Sequence, residues 1–306
     1  MSVLTTVNEG INASASWIEY ANGVQRFLHR WSSVEGLKGI VVIVHGLGEH
    51  GGRYIRLAPH IARKGFQVLA FDLPGHGRSP GKQGAIKSYR ALLDELTLSM
   101  QFAREQANGL PVYLFGHSMG GNLALNYILR EREQLPDAAV ASSPMLISPK
   151  EPRGVLNLIA RVAERIVPNL TIAAGTETKQ LMDDPVEQEI LDNDPLFHRR
   201  LTLRLGKALI DSGRWAMENA QKLSVPLLIT HGLNDRVTLP EGSIEFAKRA
   251  GQACQLRLLE GHLHETFRDQ RRQHVIQLYL EFFQTLAGSS AAIDVAVSGH
   301  SRAEVG

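Results

Sequence analysis

The chain has 306 residues, 43% of them hydrophobic, enough to bury a sizeable core in one large domain or in a domain carrying an insertion. Its 33 basic and 31 acidic residues leave a formal charge of +2 with no basic block of the kind that tracks nucleic acid, so the expected partner is a small molecule. Cys254 is the only cysteine, which excludes an intrachain disulfide and a cysteine metal cluster.

The first sixteen residues, MSVLTTVNEGINASAS, lack both a basic n-region and an apolar h-region. No run elsewhere reaches the length of a membrane span, and the chain reads as soluble and cytoplasmic. The segment WIEYANGVQRFLHRW then places two alternating runs around Asn22-Gly23, a dipeptide suited to a tight hairpin. Six short apolar runs follow, GIVVIVHG, GFQVLAFD, LPVYLFGH, AAVASSP, VPLLITHG and QLRLLEGH, mostly separated by segments of helical period. This alternation predicts parallel strands joined by helical crossovers, a doubly wound, mostly parallel α/β sheet that binds ligand beyond the carboxyl ends of its strands.

Between Pro144 and Leu223 the alternation stops, and helices are expected in place of buried strands. In GVLNLIARVAERIVPNL, Leu156, Ile159, Val162, Ile166 and Leu170 share one face of a helix, widened by Val155, Leu158 and Val167. That face either packs on its own protein or also walls an acyl pocket or touches lipid. The expected organisation is a core of residues 1–143 and 223–287, a helical lid over 144–222 and a disordered tail over 288–306, where the sequence turns small and polar without period.

Three strand ends carry candidate chemistry. FGHSMGG puts Ser118 on the turn between an apolar run and a helical pattern, the setting of a G-x-S-x-G nucleophile, with Gly116 and Gly120 relieving a crowded bend. Composition alone produces such a motif in about one chain in six, so its surroundings must decide. A serine hydroxyl needs a histidine base and a carboxylate to orient it. THGLNDRV supplies Asp235, and LEGHLHETF supplies His262 and His264, in the chain order Ser, Asp, His. His264 is favoured because it lies further into the loop, but the spacing leaves His262 open. The H-x-H pair also resembles a metal site, yet no neighbouring carboxylate or cysteine cluster completes a ligand set, and no metal is expected. The N–H groups of Met119, at the start of the helix, and Leu47, in the loop of VHGLGEHGGRY, are the candidate oxyanion donors. His45, Glu49, His50 and Arg53 in that loop read as ordering groups rather than catalysts. The loop lacks the lysine-bearing pattern of a phosphate cradle.

Together HGLGEHGGRY, FDLPGHGRSPG, FGHSMGGNLAL, DNDPLFHRR, THGLNDRV and LEGHLHETF, spread over residues 17–285, resemble in order and spacing the α/β-hydrolase fold and its monoacylglycerol lipase and lysophospholipase branch, also grouped with serine aminopeptidase-like hydrolases. The resemblance implies Ser118 as nucleophile, Asp235 as acid, His264 as base, Leu47 and Met119 as oxyanion donors and no cofactor. The apolar lid helix points to a single-chain acyl ester, such as a monoacylglycerol, cleaved through an acyl-enzyme on Ser118, with transient membrane or micelle contact through the lid. The alternatives are a lysophospholipase or general carboxylesterase, an aminopeptidase or amidase whose acidic lid stretch TETKQLMDDPVEQEILDNDP holds an amino terminus, and a non-catalytic binding module, whose sign would be a missing acid or base.

Overall fold

The computed structural model describes residues 3–8, 10–131, 133–152 and 154–300. Strands β1 (Val3–Asn8), β2 (Ile11–Glu19) and β3 (Gln25–Ser33) form an antiparallel meander. The expected hairpin closes around Asn22-Gly23: Gly23 takes a φ of 79°, and its N–H donates to the carbonyl of Tyr20 at 2.8 Å. Next come β4 (Gly39–Val44), α1 (Ala58–Arg63), β5 (Phe66–Phe71), α2 (Tyr89–Ala107), β6 (Val112–His117), α3 (Met119–Arg130) and β7 (Ala138–Ser142). The first part of the chain between β7 and the next sheet strand holds α4 (Val155–Ile166), β8 (Thr171–Ala173), α5 (Thr178–Leu181) and α6 (Pro185–Asp192). The second part holds β9 (Arg200–Thr202) and α7 (Leu203–Glu218). The core resumes with β10 (Leu227–Gly232), α8 (Pro240–Ala250), β11 (Cys254–Leu259) and α9 (Arg272–His300).

Nine strands form one sheet in the order β1-β2-β3-β5-β4-β6-β7-β10-β11, parallel from β5 onward. Period-two alternation gives it two cores. In β4, Ile40, Val42 and Val44 face the layer of α2, α3, α7 and α8, where Leu96, Leu123, Leu209 and Phe246 pack. Val41 and Ile43 face the other side, against Ile61 of α1 and Tyr279 and Phe283 of α9. The central strands are therefore apolar throughout, which is why they read as continuous runs.

Two features depart from the sequence reading. Residues 171–173 and 200–202 form a small antiparallel pair, β8 with β9, inside the stretch expected to be helical; it is partly exposed, too short for a buried-strand pattern. α9 continues through 288–300, where a tail without order is expected. Ala287, Ala291 and Ala292 are strong helix formers, and no proline interrupts them, so the small residues that suggest a tail also suit a helix. Residues 301–306 of that expected tail lie outside the described residues. Among the described residues no helix is long and apolar enough to cross a membrane.

Candidate active site

Ser118 is the single residue between the end of β6 and the start of α3, with φ 54° and ψ −114°, a backbone conformation that L-residues avoid. Its N–H donates to the carbonyl of Ser142 at 3.0 Å, and its carbonyl accepts from the N–H groups of Asn122 and Met145. The bend requires bare neighbours. A Cβ on Gly116 would sit 2.3 Å from the carbonyl oxygen of Gly120, and one on Gly120 would sit 2.0 Å from that of Val44. Met119 opens α3, so its N–H belongs to the first turn, whose donors have no acceptor within the helix.

Asp235 lies in the loop after β10 and is buried. Its Oδ1 accepts from the N–H groups of Val237 at 2.8 Å and Thr238 at 3.1 Å; its Oδ2 accepts from His264 Nδ1 at 2.7 Å and His231 Nε2 at 3.1 Å. Burial alone would raise this carboxyl, but the two imidazoles outweigh it and hold it far below its ordinary value. An ionised carboxylate can only accept, so His264 carries its proton on Nδ1 and leaves Nε2 as the basic nitrogen. Burial pushes the His264 imidazole down, yet Asp235 overrides it and the net shift is upward.

The structure separates the two histidines left open by spacing. His264 is on Asp235, while the Nδ1 of His262 lies 3.1 Å from Asp269 Oδ2 and its ring packs on His274. His262 has its own carboxylate, and the H-x-H pair does not converge on one point.

In the Leu47 loop, Gly46 N–H donates to Glu49 Oε2 at 2.7 Å and the Gly46 carbonyl accepts from His45 Nδ1 at 2.8 Å. Arg53 donates to Glu49 Oε1 at 3.0 Å and to Glu265 Oε2 at 2.7 Å, all three buried. Arg268 donates to Glu187 Oε2 of α6 at 2.6 Å and lies 3.2 Å from Glu265. One buried ionic chain thus joins the Leu47 loop, the residue after His264 and the inserted helices. Burial would raise Glu49, but Arg53, then His117 and Arg268, hold it low; in Glu265 burial wins and its carboxyl is raised. The His117 imidazole, buried with its ring centroid 4.9 Å from that of His264, is pushed down to about 3 by burial and stays neutral.

Ser118, Met119, Leu47 and His264 line one cavity of about 340 Å³, closed from the insertion side by Leu181, Phe197, Leu203 and Ile210. Asp235 stands behind His264 and is not part of the lining. Sequence reading missed His231, Thr238, Glu265 and Arg268. His231 had a legible signal in THGLND, four residues before Asp235; the partners of Glu265 and Arg268 are too distant in sequence to leave one.

The family model described as serine aminopeptidase, S33, matches residues 35–271. A monoacylglycerol lipase of Mycolicibacterium smegmatis is 29% identical over 83% of this chain and 91% of its own length. The crystal structure of Paleococcus ferrophilus monoacylglycerol lipase superposes with a TM-score of 0.76 at 30% identity, covering 86% of this chain and 98% of that one. An uncharacterized abhydrolase domain-containing protein of Dictyostelium discoideum is 27% identical over 84% of this chain, which spans only 27% of that longer relative. The chain belongs to the serine aminopeptidase S33 family of α/β-hydrolases, in the branch that includes monoacylglycerol lipases.

Proposed function

We propose that the protein is a serine hydrolase of single-chain acyl esters, monoacylglycerols foremost, acting through an acyl-enzyme on Ser118. The observation that carries this reading is the His264–Asp235 pair at 2.7 Å, with His264 lining the same cavity as Ser118. Ser118 Oγ attacks the ester carbonyl carbon while His264 Nε2 takes its proton. The resulting oxyanion is held by the N–H groups of Leu47 and Met119. His264 returns the proton to the departing alkoxide, which leaves as the alcohol. Water, deprotonated by His264, then releases the fatty acid and restores Ser118. No cofactor enters these steps.

The substrate class rests on the apolar wall and on the relatives' names. Leu181, Phe197, Leu203, Leu209 and Ile210 suit an acyl chain, and the similar proteins are called monoacylglycerol lipases. We read residues 144–222 as the lid that forms this wall. Its helix α4 leaves Ile159, Val162 and Ile166 57%, 50% and 72% exposed, which favours contact with a lipid phase.

The aminopeptidase alternative loses its support. Of its seven lid carboxylates, Glu177, Asp183, Asp184, Glu187, Glu189, Asp192 and Asp194, none lines the cavity. Five pair with Lys179, Arg272, Arg56 and Arg268, Arg199, and His50 in turn.

A fluorophosphonate probe should label wild type at Ser118 and leave Ser118→Ala unlabelled, with a loss on the order of 10⁶ in kcat. Hydrolysis should be compared across monoacylglycerols, lysophospholipids, short esters and aminoacyl amides. Preference for short soluble esters with no activity on longer chains would overturn the lipid assignment while keeping the hydrolase.

A further inference from the structure

His29 of β3, His50 of the Leu47 loop and Asp72 at the end of β5 converge away from the cavity, with one donor atom from each lying within 4.8 Å of the others. Two of these atoms are left over by the rest of the structure: His29 Nε2 and His50 Nδ1 are buried and have no hydrogen-bond partner. His50, buried overall, is also set in the matching tautomer. Its Nε2 donates to Asp194 Oδ2 at 2.9 Å, so its Nδ1 presents a lone pair. Asp72 accepts from the N–H groups of Gly51 at 2.7 Å and Arg78 at 2.8 Å, and each of its oxygens keeps a second lone pair. The rings close over bare backbone: a Cβ on Gly52 would lie 2.9 Å from His29 Cε1 and 3.0 Å from His50 Nδ1.

We propose that His29 Nε2, His50 Nδ1 and Asp72 form a binding site for a divalent cation of the zinc type. Two nitrogens and a carboxylate suit Zn²⁺ rather than Ca²⁺ or Mg²⁺, which take oxygen ligands. Ligands about 2.0–2.1 Å from a tetrahedral zinc lie about 3.4 Å apart. His29 Nε2 and Asp72 Oδ1 already stand at 3.4 Å, so a small swing of the His50 ring completes the face, and water takes the fourth position. The Asp194 carboxylate behind His50 is the outer-shell partner that metal-bound imidazoles have.

A second convergence, Glu49, His117 and Glu265, does not qualify. There the guanidinium of Arg53 already donates to both carboxylates, and the Nδ1 of His117 donates to the Ser142 carbonyl. At the His29 site no such cation intervenes among the described contacts. A bound ion would tie the middle of β3 and the end of β5 to the loop bearing Leu47 and, through His50 and Asp194, to the insertion.

The test is calorimetric titration of the chelator-treated full chain with Zn²⁺ alone, with Co²⁺ absorption as a second readout and no substrate present. One equivalent should bind to wild type and raise its Tm. Saturable uptake should vanish in His29→Ala, and in His29→Gln should the first variant fold poorly. Asp194→Asn should weaken binding about 10–100-fold. His264→Ala should bind as wild type does. No saturable uptake by wild type, uptake that survives both His29 variants, or uptake lost in His264→Ala would each overturn the proposal, the last by moving the ion to the hydrolytic centre.

Discussion

The strand-end edge and the insertion over it are held by different forces. At the edge, backbone meets backbone: an added methyl at Gly116 or Gly120 would strike carbonyl oxygens at 2.3 and 2.0 Å, and β4 and β6 are wholly buried. The insertion exposes the apolar face of α4; its α7 packs into the core through Leu205 and Leu209, while the stretch 184–194 is tied to the core by side-chain ion pairs, Asp184 to Arg272, Glu187 to Arg268 and Asp194 to His50. Close-packed backbone has no room to yield, whereas a partly exposed ion pair such as Asp184–Arg272 rearranges at modest cost. The difference teaches that the wall around Leu181 and Phe197 is held by contacts that yield more readily than the bend carrying Ser118, whereas Met145, whose N–H donates to the Ser118 carbonyl, ties the start of the insertion to that bend.

The sharpest break in that contrast comes from the edge. Asp235→Asn should lower kcat about 10⁴-fold with the fold intact, because the amide lets His264 settle in the wrong tautomer. The pH profile should move with it. In the proposed mechanism the neutral imidazole is the active form, and Asp235 holds the His264 pKa above its usual value. kcat/KM should therefore be full at high pH and fall as pH drops through that raised pKa. In Asp235→Asn burial is opposed only by the weaker pull of Glu265 and Glu49, and the residual acid limb should shift to lower pH; an unmoved limb would assign the titration to another group.

A smaller effect should come from the buried chain joining the two regions. Arg53→Met keeps much of the side-chain volume but strands Glu49 and Glu265, which should cost about 3–5 kcal/mol by denaturant unfolding at neutral pH. A cost under about 1 kcal/mol would mean that the carboxylates find water or Arg268 instead. The smallest effect belongs to the insertion surface: Ile159→Ser should change stability by no more than about 0.5 kcal/mol and leave turnover of a short soluble ester unchanged. Its activity on lipid dispersions should fall, and equal activity on both substrates would remove α4 from any lipid-contact role.

Much of this was legible because it is local. Short apolar runs marked β4, β5, β6, β7, β10 and β11, and Asn22-Gly23 marked the hairpin. β8 and β9 escaped notice since three residues carry no period, and the run of small residues after Leu286 fitted tail and helix alike. At the site, Ser118 was legible from a steric requirement written into its neighbours, whereas Glu265 was not, because its partner Arg53 lies 212 residues away.

The sequence by itself determined the sheet, the bend that carries Ser118 and the order of the candidate residues, since each depends on periodicity or on glycine within a few positions. Only the tertiary structure decided which histidine meets Asp235, for His262 and His264 differ by two residues but face carboxylates 34 positions apart, Asp269 and Asp235. It alone decided the partners of the buried charges too. Arg53 and Glu265 lie 212 residues apart, and no local pattern records a pairing that exists only once the chain has folded.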